Sequence, residues 1–342
     1  MKKRFTIFLS MVFVFCCAMV VTANAQMQSP EFMVTRFMPD VETELATSFD
    51  DLEKPIVTYE DTIIALPVDN NVLSISTKTE YNEEVLLKLT LPLHEEKISF
   101  INDNTVYYDN SDEGFIQTVQ VYDKDFLIST ATLGRTSPIV YVYNWELPED
   151  FYMDYLYNDK TGQAIDDTIY IFDSNGKILY CIAVNDVRTV DGEKVGFDFS
   201  LKNNDIVLTL NDGKILDKAV TFSIQASGSY SFAHYFYKND CFFENYDETA
   251  TGKKEVRLSL SPNYTNLYSP YTRPDNVTHK KGSWATVYNE FNKDANWSND
   301  QGMQEQYYCH YDNIPGSKDW HLEPWRPAVG TAATTAAFCN PK

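Results

Sequence analysis

Five side chains near the C-terminus are of the types that move protons or hold anions: His310, Asp312, His321, Glu323 and Arg326. A histidine or carboxylate placed on a phosphodiester or glycan can act as general acid or base, and an arginine can grip the anion through two parallel hydrogen bonds. The catalytic candidates are therefore His310, His321 and Glu323, with Arg326 as the anion clamp. Their spacing gives no ordered nucleophile, base and orienting group, and no recognisable carboxylate pair, so no reaction follows from them. Cys309, His310, His321 and Cys339 could also be weighed as zinc ligands. The adjacent Cys-His and the wide gaps do not match common finger spacings, so no metal is expected. In a third reading, Trp320, Trp325 and Arg326 form a contact surface, because Trp and Arg are enriched in interface hot spots. Glu323–Arg326 is then a structural ion pair, and the same residues would equally suit a small core. The weight falls on this third reading, a small disulfide-stapled binding or effector domain, over catalysis.

The elements that must position these residues are short. Trp284, Val287, Tyr288 and Phe291 fall at i, i+3, i+4 and i+7, which predicts one face of a helix with Ser283 as its cap. Asp300 is the expected cap of a second helix in which Met303, Tyr307 and His310 share a face, bringing His310 towards Trp284. Beyond residue 25 the cysteines are Cys181, Cys241, Cys309 and Cys339. Cys309 and Cys339 lie in one segment too small for a large core and are expected to pair, contributing about 3 kcal/mol by closing a loop of roughly thirty residues. Pairing of Cys181 with Cys241 is left open.

The N-terminus reads as an export signal: basic Met1 to Arg4, an apolar run from Phe5 to Thr22, and Ala23-Asn24-Ala25 as the cleavage site. Cys16 and Cys17 fall inside that run, and a lipid anchor is not expected there. Loss of residues 1–25 removes Lys2, Lys3 and Arg4 and takes the formal charge from -21 to -24. From Val277 to Lys342 six Lys and Arg face seven Asp and Glu, which leaves -23 between Gln26 and Asn276. Nucleic acid is a poor partner for such a chain, since phosphate contacts need a basic face. Membrane contact is expected only through the signal before cleavage. The predicted location is secreted, extracellular or attached to the cell surface, and an even number of cysteines fits that oxidising setting.

Gln26 to Asn71 reads as an acidic, partly disordered leader in which Ile63 to Leu66 could supply a first strand. From Val72 onwards, short β-branched and aromatic runs are separated by turn formers, the pattern of an antiparallel β-sandwich. Examples are Glu84 to Leu91, Phe115 to Tyr122, Ile139 to Trp145, Lys177 to Val184 and Ala219 to Ile224. Asp173-Ser174-Asn175-Gly176 and Asp191-Gly192 are hairpin turns, because Asn and Gly tolerate positive φ. Calcium loops are the sharper alternative for these turns, and they lack the closing Glu of that motif. Tyr230, Phe232 and His234 alternate as in a strand within an aromatic stretch running to Asp247. Residues 263–281, with Pro270 and Pro274 among tyrosines, read as a linker.

Two resemblances extend these readings. Tyr141, Leu147-Pro148, Ile171 to Lys177, Asp191-Gly192 and Val220 to Ile224 resemble a β-rich module of secreted Gram-positive proteins, with Gln225-Ala226 where that module closes in Asp-Pro. Gln304-x-Gln306-Tyr307-x-Cys309-His310, Lys318-x-Trp320-x-Leu322-Glu323-x-Trp325-Arg326-Pro327-x-Val329 and Cys339-Asn340-Pro341 resemble a bacterial exported domain, the DUF twenty-five-ninety-nine family of unknown function. That resemblance implies export and two cysteines placed to pair, and carries no activity and no cofactor. The expected organisation is a signal over 1–25, a leader over 26–71, a β module over 72–262, the linker, and an α-rich C-terminal domain over 282–342. The expected role is a binding or effector module whose partner is an envelope component or extracellular protein. The alternative is a hydrolase of cell-wall glycan or phosphodiester using His310 and His321.

Overall fold

The computed structural model describes residues 56–342 except 68–70, 79–82, 93–96, 103–104, 123, 135–138, 159, 185–186, 212–217, 249–251 and 269–276. The expected signal and most of the leader lie outside the described residues, as do Cys16, Cys17, Pro270 and Pro274.

Among the described residues the strands begin with β1 (Ile56–Tyr59), β2 (Thr62–Ala65), β3 (Val72–Lys78), β4 (Glu84–Thr90), β5 (Lys97–Asn102) and β6 (Thr105–Asn110). They continue with β7 (Phe115–Tyr122), β8 (Asp125–Thr132), β9 (Val140–Glu146), β10 (Tyr152–Asp154), β11 (Ile169–Phe172) and β12 (Ile178–Val184). Then come β13 (Arg188–Thr189), β14 (Phe197–Lys202), β15 (Asp205–Leu210), β16 (Val220–Gly228), β17 (Phe242–Glu248), β18 (Lys253–Leu260) and β19 (Trp320–Leu322). The helices are α1 (Phe232–Tyr235), α2 (Tyr264–Leu267), α3 (Val277–Phe291), α4 (Asp300–Asn313) and α5 (Thr331–Ala336).

Two antiparallel sheets form the sandwich foreseen from the strand pattern. One runs β1-β2-β3-β4-β9-β15-β14, the other β10-β11-β12-β16-β8-β7-β6-β5 with β13 on β16. Their alternation builds the core: in β9, Tyr141, Tyr143 and Trp145 turn inward while Val140, Val142 and Asn144 face out. Phe115 and Phe222 of the opposite sheet meet Tyr141 edge-on, with ring centroids 5.6 and 5.0 Å away, the geometry that aromatic quadrupoles favour. β16 carries Gln225 and Ala226 with strand partners on both sides, Ala183 and Leu127 for the first, Ile182 and Phe126 for the second. A proline in the middle of these two ladders would remove a donor, so the departure from Asp-Pro suits the pairing.

The Asp173 turn forms as expected. Asp173 Oδ1 accepts from the backbone N–H groups of Asn175 at 2.8 Å and Lys177 at 2.9 Å, and Gly176 sits at φ 76°.

A third, three-stranded sheet, β17-β18-β19, joins the C-terminal helices around a second core. Residues 242–260, expected within the β module, therefore share a sheet with Trp320–Leu322. Part of the expected linker is helical: α2 occupies Tyr264–Leu267, and α3 begins at Val277. Ser283 lies inside α3 and caps nothing; its hydroxyl donates to Lys280 O at 2.9 Å and accepts from Tyr307 at 2.8 Å. Asn299, at a left-handed φ of 59°, caps α4 by accepting from Gly302 N, which meets one of the open N–H groups at the helix start; Asp300 instead accepts from Trp297 Nε1 at 2.5 Å. Where a strand was expected over 230–234, Phe232–Tyr235 forms a helical turn, since the buried Phe232, Tyr235 and Phe236 are spaced by three and four. Phe232 and Phe236 stack across that turn at 5.0 Å.

Helix α3 joins the two cores. Trp284 and Val287 face the C-terminal cluster, while Ala285 packs on Tyr170, Phe172 and Cys181 at the outer face of the nine-stranded sheet. The helix can approach β16 because residue 282 is glycine: a Cβ there would stand 2.8 Å from Ser227 Oγ. No helix among the described residues is long and apolar enough to cross a membrane.

Candidate functional site

The C-terminal motifs converge on α4 and β19. Cys309 and Cys339 are disulfide-bonded, with Cα atoms 5.4 Å apart, which ties the last residues to the middle of α4. Cys181 and Cys241 are separate buried thiols.

Three buried side chains of the motifs act as clamps. Glu305 Oε2 accepts from Val329 N at 2.9 Å, Gly330 N at 2.9 Å and Thr334 Oγ1 at 3.1 Å, capping the start of α5. Gln306 Oε1 accepts from Glu323 N at 2.9 Å, and its Nε2 donates to Glu323 O at 3.1 Å and Gly302 O at 3.0 Å. Arg326 reaches Glu323 through Nε, lies 3.5 Å from Glu248 Oε2 through Nη2, and donates through Nη1 to Pro341 O at 3.1 Å. Tyr246 OH donates to Glu323 and lies 3.0 Å from Glu248 Oε2. Burial and these two carboxylates push the Tyr246 phenol up. Each of these charges thus has hydrogen-bond or ion-pair partners in place, the condition under which buried ions are tolerated.

The two histidines do not form one site. His310 projects from α4 and lies flat against Trp320 with ring centroids 5.8 Å apart, so it packs there and not against Trp284. Its Nε2 is 3.2 Å from His321 O; a carbonyl only accepts, so Nε2 carries the proton. Burial pushes the His310 imidazole down to about 4, holding it neutral. On β19 the buried neighbours Trp320 and Leu322 face α4, which turns His321 to the opposite face of the strand. There Arg257 Nη1 donates to His321 Nδ1 at 3.4 Å, and burial with the adjacent guanidinium lowers the His321 pKa. Asp312 is taken up by Lys280 Nζ at 2.8 Å, on yet another side of α4.

The expected contact surface also changes. Trp320 is fully buried, in ring contact with Tyr307 at 5.4 Å and Tyr264 at 6.3 Å, so it is a core residue and not a contact residue. Arg326 is buried as well, which withdraws it from a surface; its guanidinium lies 4.3 Å over the ring of half-buried Trp325. The large apolar side chains exposed in this segment include Val329 and Phe338, the latter 83% exposed at φ 52° beside Cys339. Sequence reasoning missed Tyr246, Glu248, Arg257 and Glu305. Tyr246 and Glu323 are separated by 77 positions, so only the β17-β18-β19 pairing reveals their contact. Glu305 stands inside the Gln304-x-Gln306 motif, and its position one turn before Cys309 was the available signal.

A stretch of 44 residues is 43% identical to uncharacterized proteins of Mycobacterium bovis and Mycobacterium tuberculosis, covering 12% of this chain and 30% of theirs. The chain thus spans under a third of the length of those curated relatives. A solved glycoside hydrolase of family 81 from Clostridium thermocellum aligns at 8% identity over 60% of this chain and 27% of that one, with a TM-score of 0.18, too low to bear on fold or activity. Residues 251–342, which hold β18, α3, α4, β19, α5 and the disulfide, match the family described as "Protein of unknown function (DUF2599)", the family to which the C-terminal motifs pointed.

Proposed function

We propose that this is an exported protein whose C-terminal unit is a binding or effector module acting at the bacterial envelope, carried by the β-sandwich. One observation supports it most: the polar candidates for chemistry are engaged in internal contacts, while apolar Val329 and Phe338 are turned to solvent. A proton-transfer site needs its acid and base to reach one substrate position. Here His310 is beneath β19 and His321 above it. An exposed aromatic beside a covalent staple has the opposite profile. It is pre-ordered, and it loses little conformational entropy when a partner covers it.

The export signal in the sequence and the net negative charge favour an envelope component or extracellular protein as that partner over nucleic acid. The test is expression of the full chain with its own signal in a bacterial host, followed by fractionation of envelope and medium. Envelope retention that falls in a Val329→Ser/Phe338→Ser variant, with folding unchanged, is the expected result. Retention equal to wild type would sink the proposed surface. Release of soluble glycan or phosphate from envelope preparations, lost in His321→Ala, would instead establish the hydrolase reading.

A further inference from the structure

Lys281 of α3 is a buried lysine, its side chain 8% exposed, at the junction of helix and sandwich. Ala285, one turn further on, packs against Tyr170 and Cys181. Residues four apart share a helix face, so the Lys281 stem is directed at the same outer face of the nine-stranded sheet. Its Nζ lies 3.4 Å from Asp167 Oδ1 and 3.7 Å from Asp166 Oδ2, both in the segment between β10 and β11. Tight ion pairs close to about 2.7–2.9 Å. Lys124, the other buried lysine among the described residues, does so, 2.9 Å from exposed Asp61.

Asp166 is held by one oxygen only. Its Oδ1 accepts from Thr168 N at 2.9 Å, which fixes the carboxyl group, while its Oδ2 is buried with no hydrogen-bond partner among the described residues. The surroundings are dry: burial pushes up the phenols of Tyr170 and Tyr308 and the thiol of Cys181, and the charge of Asp166 adds to each. An ammonium and a carboxylate that stay apart in such a setting are costly, and an amine and a carboxylic acid less so. Those neutral forms are the two halves of an amide. Asp167 is exposed and within reach of the same amine, which suits a group that relays protons.

We propose that Lys281 and Asp166 join in an intramolecular isopeptide bond that fixes α3 to the sandwich. The Nζ lone pair attacks Asp166 Cγ, the Nζ–Cγ bond forms and the Cγ–Oδ2 bond breaks. Of the three ammonium protons one stays on the amide nitrogen, and two leave with Oδ2 as water, relayed through Asp167. Nothing is oxidised or reduced, and no co-reactant is needed. Placement of both groups in one fold supplies the effective concentration for the step. The bond does not depend on the binding reading of the C-terminal unit and stands without it.

The experiment is mass spectrometry of the full chain, expressed with its own signal, purified folded, then reduced and denatured. Wild type is expected to be lighter by one water than its sequence requires, and Lys281→Met to show no such deficit. A tryptic digest of wild type should contain residues 161–177 joined to residues 281–293, a species absent from Lys281→Met and Asp166→Ala. Asp167→Ala keeps both partners and should form the bond about a hundredfold more slowly; formation at the wild-type rate would strike Asp167 from the reaction. A wild-type mass with no water lost, or a deficit that persists in Lys281→Met, would overturn the proposal. The wild-type mass is read on the unaltered protein, so it decides the matter even where a variant fails to fold.

Discussion

Asn289 on α3 treats Ile178 as though it were the next strand: Ile178 N–H donates to Asn289 Oδ1 at 3.0 Å, and Asn289 Nδ2 donates to Ile178 O at 2.9 Å. One amide side chain thereby satisfies both polar groups of a residue in β12, at the point where helix and sandwich meet. Buried backbone groups need such partners, and here the junction itself supplies them.

Asn289→Ala should therefore loosen the junction, because two backbone groups lose their partners at once. The expected loss is about 1–3 kcal/mol, read by urea denaturation, with faster amide exchange at Ile178. Unchanged exchange at Ile178 would show that the pair contributes nothing.

His310 predicts an acid limit to stability. Its imidazole falls from about 6.5 in the unfolded chain to about 4 in the folded one. Between those values the unfolded state binds more protons, so stability is complete above about pH 6.5 and falls as the pH drops towards 4. The full loss is about 3 kcal/mol. Comparing denaturation midpoints at neutral and acid pH, His310→Gln should flatten this slope relative to wild type. An identical slope in the two proteins would assign the acid loss to other groups.

Thiol chemistry should separate the four cysteines beyond residue 25. Cys181 and Cys241 are buried, and burial raises both thiols, Cys241 to about 11. Without reductant, the folded protein should react slowly with a thiol reagent and release two thiols on unfolding. Cys309→Ser with Cys339→Ser should cost about 3 kcal/mol by freeing a loop of some thirty residues. Four thiols on unfolding, or none, would contradict the pairing.

Glu305 gathers three donors onto one carboxylate oxygen. Glu305→Ala should lower stability by about 2–4 kcal/mol, since the N–H groups of Val329 and Gly330 and the Thr334 hydroxyl are left without it. Thermal unfolding measures the effect, and protease cutting near residue 330 should rise with it. A melting temperature equal to wild type would mean that the start of α5 holds without this cap.

The sandwich was legible because its signals are local: short β-branched and aromatic runs such as Ile139 to Trp145, and a turn whose Asp and Gly act within five residues. The disulfide was legible for the same reason, through the small segment that contains both cysteines. What resisted reading depends on distant partners. Tyr246 meets Glu323, and Leu258 pairs with Leu322, only after β18 and β19 come together. His310, Trp320 and Arg326 looked like chemistry or surface because polar and aromatic types are ambiguous until burial is known. The turn at Phe232–Tyr235 was hidden by a short alternation that both periods could share.

The pairing of β18 with β19 also says where this chain can be divided. A fragment starting at Val277 would keep the helices and the disulfide, yet expose the edge of Trp320–Leu322 and strip Arg326 of Glu248. Bare strand edges invite pairing with other copies. A transplantable piece must therefore begin before Phe242, so the hairpin travels with the sequence that follows it. Fusion points and limited cleavage that respect this boundary should yield soluble pieces, and those that fall between residues 261 and 276 should yield aggregates.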